Sequence, residues 1–95
     1  MLVCRAMKIQ DAPHGINVVI ETNGPRIYIG RFDSVNGFQA LLHDCDVHDL
    51  ATGENKEQYI RETATYGINV VERDAMVDVM SVTRVRTLGE IDKLA

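Results

Sequence analysis

The sequence is poor in cysteine and aromatic residues: it has two cysteines, no tryptophan, and only three tyrosines and two phenylalanines among 95 residues. Two cysteines in a chain of this size do not make a disulfide framework, so we interpret Cys4 and Cys45 as free thiols, although they could pair. No apolar run approaches the ~20 residues of a transmembrane helix. Arg5 and Lys8 interrupt the apolar core that a signal peptide needs. These absences predict a soluble, cytoplasmic protein with no membrane partner.

Basic side chains are fewer than acidic ones: the sequence has 10 Lys and Arg and 14 Asp and Glu, and its formal net charge is −4. Affinity for a phosphate backbone scales with the cations that displace counterions, so a broad polyanion-binding surface is disfavoured. A local basic patch, or one built by oligomerisation, stays open. The candidates for it are Arg31, Arg73, Arg84 and Arg86. The length predicts a single domain over residues 1–95 with one modest core.

A β-hairpin is the firmest local signal. Residues 16–21 and 26–35 are rich in β-branched and aromatic side chains, and Asn23-Gly24-Pro25 separates them. Glycine tolerates a positive φ and proline cannot continue a central strand, so this tripeptide predicts a turn. Asn36-Gly37 predicts a second tight turn, and a third strand follows over residues 38–45. We therefore expect a three-stranded antiparallel meander.

Residues 55–65 predict a short helical insertion after the meander. Asn55 followed by Gln58 resembles a capping box, and Gly67 stands where a glycine would end the helix. The alternative is a strand over residues 59–66, since Thr, Tyr and Ile favour sheets.

The pentapeptide GINVV occurs twice, at residues 15–19 and 67–71. Either the chain contains an internal duplication or two strands share similar burial needs. The flanking residues have nothing in common, which favours the second explanation. We therefore predict a fourth strand that includes residues 67–72.

Residues 76–88 are rich in β-branched side chains, which favour strands. Valines recur along this stretch, but their alternation slips near Met80-Ser81. This predicts one strand with a bulge or two short strands. Arg84 and Arg86 alternate with Val85 and so share one face.

Residues 43–49 read HDCDVHD, a concentration of side chains that metals and catalysts use. Alternation on a strand would place on one face His43, Cys45 and Val47, and on the other Asp44, Asp46 and His48. The polar groups therefore cannot converge on one ion, and the only other histidine is His14. We interpret the heptapeptide as the acidic end of the third strand, with solvated acids, Asp46 or Asp49 capping a turn, and Cys45 as a small buried hydrophobe.

Enzyme motifs are missing from the sequence. There is no Gly-x-Ser-x-Gly elbow, and neither Ser34 nor Ser81 has a histidine beside it. Cys45 and His43 are two positions apart, ~6.5–7 Å along a strand, which is too far for an easy nucleophile–base hydrogen bond. No glycine-rich phosphate loop occurs. We predict a non-enzymatic protein without a cofactor, a metal or an evident small-molecule substrate.

The stretch from Val18 to Asp46, about a third of the chain, resembles the first sequence motif of Sm and Sm-like proteins. A turn glycine at the end of a strand is matched by Gly24. A second glycine and a hydrophobic residue two positions later are matched by Gly30 and Phe32, and the following polar residue by Asn36. The second motif of the family is often Arg-Gly before an apolar strand. Its nearest counterpart here is Arg73-Asp74.

This resemblance implies a mainly β fold, a small five-stranded and strongly bent antiparallel barrel, here with the helical insertion near 55–65. Sm-like proteins assemble as rings by pairing the fourth strand of one subunit with the fifth of the next. They bind single-stranded, uridine-rich RNA around the pore. The chain is thus expected to form a homo-oligomeric ring.

Carried over to this sequence, the resemblance places the base-stacking position on Phe38 and a base-reading asparagine position on Ala40. An aromatic ring suits stacking, which is worth ~1–3 kcal/mol per base, whereas alanine has no group to read a base edge. We therefore expect RNA binding by stacking and backbone electrostatics through Asn36, Gly37, Phe38 and Arg73. The alternative is a structural or protein-interaction module without nucleic acid, which Ala40 and the net charge of −4 favour.

Overall fold

The computed structural model describes residues 8–94, which form one antiparallel sheet of five strands, one α-helix and short 3₁₀ helices. The strands are β1 (Asn17–Thr22), β2 (Arg26–Asn36), β3 (Gln39–Asp49), β4 (Glu72–Asp78) and β5 (Val82–Thr87), and the helix is α1 (Lys56–Tyr66). The 3₁₀ helices are Ile9–Asp11, Val79–Ser81 and Leu88–Glu90. The order across the sheet is β4-β3-β2-β1-β5. The predicted meander of three strands and the mainly β class are confirmed.

Both faces of the sheet carry a buried apolar cluster. The inner cluster includes Val18, Ile20, Phe32, Leu42, Cys45, Ala75, Val77 and Val85. The outer cluster, which α1 and the C-terminal residues cover, consists of Val19, Ile27, Ile29, Ile60, Leu88 and Ile91. Because β1 is covered on both faces, consecutive apolar residues replace the polar alternation of a half-exposed strand.

The five strands form an open sheet and do not close into the predicted barrel in the described residues. Within residues 8–94, β4 pairs with β3 and β5 pairs with β1, and no ladder joins β4 to β5. Two edges therefore remain at opposite sides of the sheet. No helix in the described part of the chain is long and apolar enough to cross a membrane.

The helix has the caps that the sequence predicts. The Asn55 side chain accepts a hydrogen bond from the Gln58 N–H (3.0 Å), and the Gly67 N–H donates to the Thr63 carbonyl (2.9 Å). Gly67 has a φ of 102°, which disfavours residues with a Cβ. The helical prediction is confirmed and the strand alternative is wrong. Tyr66, the last residue of α1, is 79% exposed.

The second GINVV is not a strand. Residues 67–71 form an irregular connection, with Val70 and Val71 about half exposed, and β4 begins only at Glu72. The first copy enters β1, where β2 and β5 provide partners on both sides. Residues 76–88 form the end of β4, the Val79–Ser81 turn and β5, so the prediction of two short strands is confirmed.

A bulge in β3 changes the interpretation of HDCDVHD. Asp44 has a φ of 49°, and two residues of β3 oppose one of β2 between the pairs Arg31–His43 and Ile29–Asp46. The extra residue moves His43 to the outer face, opposite to Cys45, so the expected shared face is wrong. The heptapeptide also lies inside β3, which continues to Asp49. Asp46, expected among solvated acids, is only 2% exposed.

Candidate functional site

The β2–β3 and β4–β5 turns lie together at one end of the sheet. The Val79 N–H donates a hydrogen bond to the Phe38 carbonyl across them (2.9 Å). Gly37 takes a φ of 63°, which allows the tight turn. Phe38 is 72% and Met80 73% exposed. We call these two side chains the turn surface. Side chains this exposed contribute little to the hydrophobic core.

The structure brings together three of the four residues predicted to bind RNA. Asn36 ends β2, and Gly37 and Phe38 form the adjoining turn. Arg73 lies in β4, five positions before Asp78, which is ~16 Å along a strand from this end of the sheet. The Val79–Ser81 turn, which does lie beside Phe38, has no cation. Sequence reasoning could have found this turn from the slip in alternation near Met80-Ser81.

The β4 edge presents unpaired backbone groups. In an antiparallel ladder, hydrogen-bonded and non-hydrogen-bonded residue pairs alternate. Because Val79 bonds to Phe38, the pair Ala40–Val77 is hydrogen-bonded and the pair Leu41–Met76 is not. The N–H and C=O of Met76 consequently point away from β3. Such an edge can template pairing with another strand.

An ion cluster fastens α1 to the sheet. Arg86, only 2% exposed, donates to Glu21 (2.8 Å) and twice to Glu57 (2.9 and 3.0 Å), and Lys56 lies 3.0 Å from Glu21. The hydrogen bond from Arg86 lowers the pKa of Glu57. Arg86 therefore holds the helix in place. The basic surface that the sequence suggested cannot include it.

The remaining candidate arginines are dispersed. Arg31 pairs with Asp44 at 3.0 Å, and Arg84 lies 3.8 Å from Glu21. Arg84 does share the outer face with Arg86, since both approach Glu21. No continuous basic patch forms from these residues in the described part of the chain.

His43 bridges β2 and β4 on the outer face. Its Nε2 lies 2.6 Å from an Asp33 oxygen, its Nδ1 lies 2.8 Å from an Asp74 oxygen, and His14 Nδ1 lies 2.9 Å from the Asp33 carbonyl. The hydrogen bonds with Asp33 and then Asp74 raise the pKa of His43, and the same bond lowers the pKa of Asp33. The carboxylates flank opposite edges of the ring, so they cannot converge on one ion. Residues 8–94 contain no group of three or more His, Cys, Asp or Glu side chains that could hold a metal.

We expect stability to fall as the pH rises above 6.5. Because the pKa of His43 is raised from 6.5, its contribution is complete below that pH and disappears as the pH passes the raised value. The lowered pKa of Asp33 gives a contribution that is complete above 3.8 and disappears at lower pH. The melting temperature should therefore be highest between these limits.

His43→Gln should reduce the fall of the melting temperature at alkaline pH. His14→Gln, at a side chain 78% exposed, should leave that fall unchanged. An unchanged alkaline slope in His43→Gln would contradict the assignment.

The other half of the heptapeptide packs against α1. The ring of His48 stacks on Tyr59 at 3.9 Å, its Nε2 lies 2.8 Å from Glu54, and Tyr59 donates a hydrogen bond to buried Asp46. Burial, with this hydrogen bond, raises the pKa of Tyr59. Burial also raises the pKa of the Cys45 thiol to about 12. Cys45 is thus protonated near neutral pH and lacks the thiolate that a nucleophile needs.

Comparison with known proteins adds no family to this geometry. None of the protein-family models that were searched matches the chain, and no curated protein matches it.

Proposed function

We propose that this chain is a non-enzymatic, ring-forming module of the Sm-like type, in which β4 of one copy pairs with β5 of the next. The strand order β4-β3-β2-β1-β5 carries the proposal, because it leaves the fourth and fifth strands as the sheet edges. These are the strands that join subunits in Sm-like rings. When β4 of one copy pairs with β5 of the next, an open chain of copies still has one unpaired edge at each end. Closing the chain into a ring pairs these last two edges.

Two further features support an Sm-like barrel within such a ring. Gly30, one of the glycines in the resemblance, lies where β2 and β3 approach closely, since a Cβ there would lie 2.9 Å from the Cys45 Cα. The link between β4 and β5 is a single 3₁₀ turn, which keeps the two strands close in sequence but on different edges. The free thiol of Cys45 fits a reducing compartment such as the cytoplasm.

Native mass spectrometry at tens of micromolar protein tests the ring. We expect a defined multiple of the 10.6 kDa chain. Met76→Pro removes an outward N–H of β4 without touching the β3–β4 hydrogen bonds, and proline is tolerated at such an edge position. This variant should be monomeric and folded by circular dichroism. Met76→Ser changes the same side chain but keeps the N–H, and it should assemble. A monomeric wild type would refute the proposal.

Binding of single-stranded RNA is the second candidate, and the exposure of Phe38 beside the Gly37 turn favours it. A base stacked on the ring would contribute ~1–3 kcal/mol, so Phe38→Ala should weaken binding by roughly 5- to 150-fold. Fluorescence anisotropy with oligo-U, oligo-A and single-stranded DNA at two salt concentrations measures this. Tyr66→Ala is the matched control, because Tyr66 is equally exposed but lies at the end of α1.

If wild type and Phe38→Ala both fail to bind, the RNA candidate is wrong and the module joins protein chains only. The net charge of −4 and the lack of a cation in the Val79–Ser81 turn support this protein-only alternative.

A further inference from the structure

We infer that the two sheet edges carry opposite charges that select a head-to-tail contact, in which a basic groove beside β5 receives the carboxylates of β4 from a second copy of this chain. The inference rests on the proposed assembly. It adds the side chains that give the assembly its direction.

The groove lies between the N-terminal 3₁₀ helix and β5 and has a volume of about 280 Å³. Its polar lining consists of Lys8, Gln10, Thr83 and Arg84. Arg84 is 41% exposed and 3.8 Å from Glu21, whereas Arg86 and Lys56 approach the same carboxylate to 2.8 and 3.0 Å. Glu21 is thus already neutralised by closer partners. Arg84 and Lys8 therefore keep positive charge to offer at this edge.

β4 is acidic by contrast. It contains Glu72, Asp74 and Asp78 against Arg73, a net charge of −3 + 1 = −2. The lining of the groove beside β5 contains Lys8 and Arg84 and no acid, a net charge of +2. The three carboxylate side chains occupy alternate positions and are all exposed. Asp74 contacts His43, and Asp78 accepts a hydrogen bond from the Met80 N–H, but neither bond closes the edge.

Arg84 and the carboxylates of β4 also lie on matching faces. Ala75 and Val77 of β4 and Val85 of β5 all belong to the inner cluster. Side chains at the intervening positions, the carboxylates of β4 and Arg84 of β5, consequently face outward. When the sheet continues from β4 of one copy into β5 of the next, these groups meet on the same face.

Only one of the three possible edge contacts is then electrostatically favourable. A β4–β4 contact would bring together two edges of charge −2, and a β5–β5 contact would bring together two grooves of charge +2. Like charges across an interface suppress the wrong pairing, whereas opposite charges attract and orient the partners. The edges therefore disfavour a symmetric dimer and favour a directional assembly.

Charge exchange between two variants tests the inference. Lys8→Glu/Arg84→Gln changes the groove from +2 to −1 without placing a carboxylate beside Glu21. Glu72→Lys/Asp78→Asn changes β4 from −2 to +1, and asparagine can still cap the turn. Each variant alone should raise the dissociation constant by about tenfold or more, measured by native mass spectrometry across a dilution series. Glu90→Lys/Asp92→Asn changes the net charge by the same +3 outside both edges and should assemble like wild type.

Mixing the two variants should restore assembly, with the two chains alternating. Two kinds of contact then alternate. Where unchanged β4 meets an unchanged groove the charges are those of the wild type, and where altered β4 meets an altered groove both charges are reversed. If wild type assembles and either variant does so with an unchanged dissociation constant, the inference is overturned while the ring proposal stands. Failure of the mixture to assemble, with both variants folded by circular dichroism, also overturns it. A monomeric wild type removes the ring proposal itself.

Discussion

Arg86→Met is expected to lower the free energy of unfolding by about 3 kcal/mol or more. The guanidinium is 2% exposed and bonds Glu21, itself 5% exposed, at 2.8 Å. Methionine fills similar space but leaves Glu21 as a buried carboxylate whose remaining cations are Lys56 at 3.0 Å and Arg84 at 3.8 Å, both 41% exposed. Removing one partner of a buried pair is costly because the other charge stays desolvated.

Urea denaturation of the wild type and three variants measures this. Glu57→Gln removes the partly exposed partner and should cost under about 1 kcal/mol. Glu21→Met/Arg86→Met removes both buried charges together and should recover most of the loss, since an apolar replacement of a buried pair is often neutral. If the double variant is as unstable as Arg86→Met alone, loss of the buried partner of Glu21 is not the cause.

Gly30→Ala should destabilise the protein by about 3 kcal/mol, at the upper end of the range for overpacking. A Cβ at this position would lie 2.9 Å from both the Cα and the Cβ of Cys45 and 3.1 Å from the His43 carbonyl oxygen. Two of these three atoms belong to the backbone of β3, so no rotamer change relieves the contact. The two strands would have to separate beside the Asp44 bulge.

Gly24→Ala is the matched control for this prediction. Its Cβ would meet nothing within 4 Å, and its φ lies outside the left-handed region, so we expect a change within about 1 kcal/mol. Thermal and urea denaturation of both variants provides the comparison. Equal stability of the two would show that the close approach of β2 and β3 does not require glycine.

Asn36, Gly37 and Phe38 were predictable as a group because they are consecutive in the chain. Any tight turn between β2 and β3 keeps them together. Arg73 was grouped with them by resemblance alone, and β4 carries it to the other end of the ladder. The buried pair of Glu21 and Arg86 could not be predicted from the sequence. Its members are 65 positions apart, and in the sequence each resembles an ordinary surface charge. The bridge from His43 to Asp74 spans 31 positions and depends on β3–β4 pairing in the same way.

The sequence by itself determined the elements whose signals are local. Asn-Gly turns set the first two hairpins, and Asn55 and Gly67 bound the helix, because turn and cap chemistry involve neighbouring residues. Tertiary structure alone decided what GINVV becomes. The first copy runs into β1, where Val18 and Val19 are buried between strands on both sides, whereas the second copy is a largely exposed connection at 67–71. Tertiary structure also decided the faces of HDCDVHD, because one residue with a φ of 49° shifts every later side chain by one position. Which strands remain as edges of the sheet also follows from pairing between residues far apart in the chain.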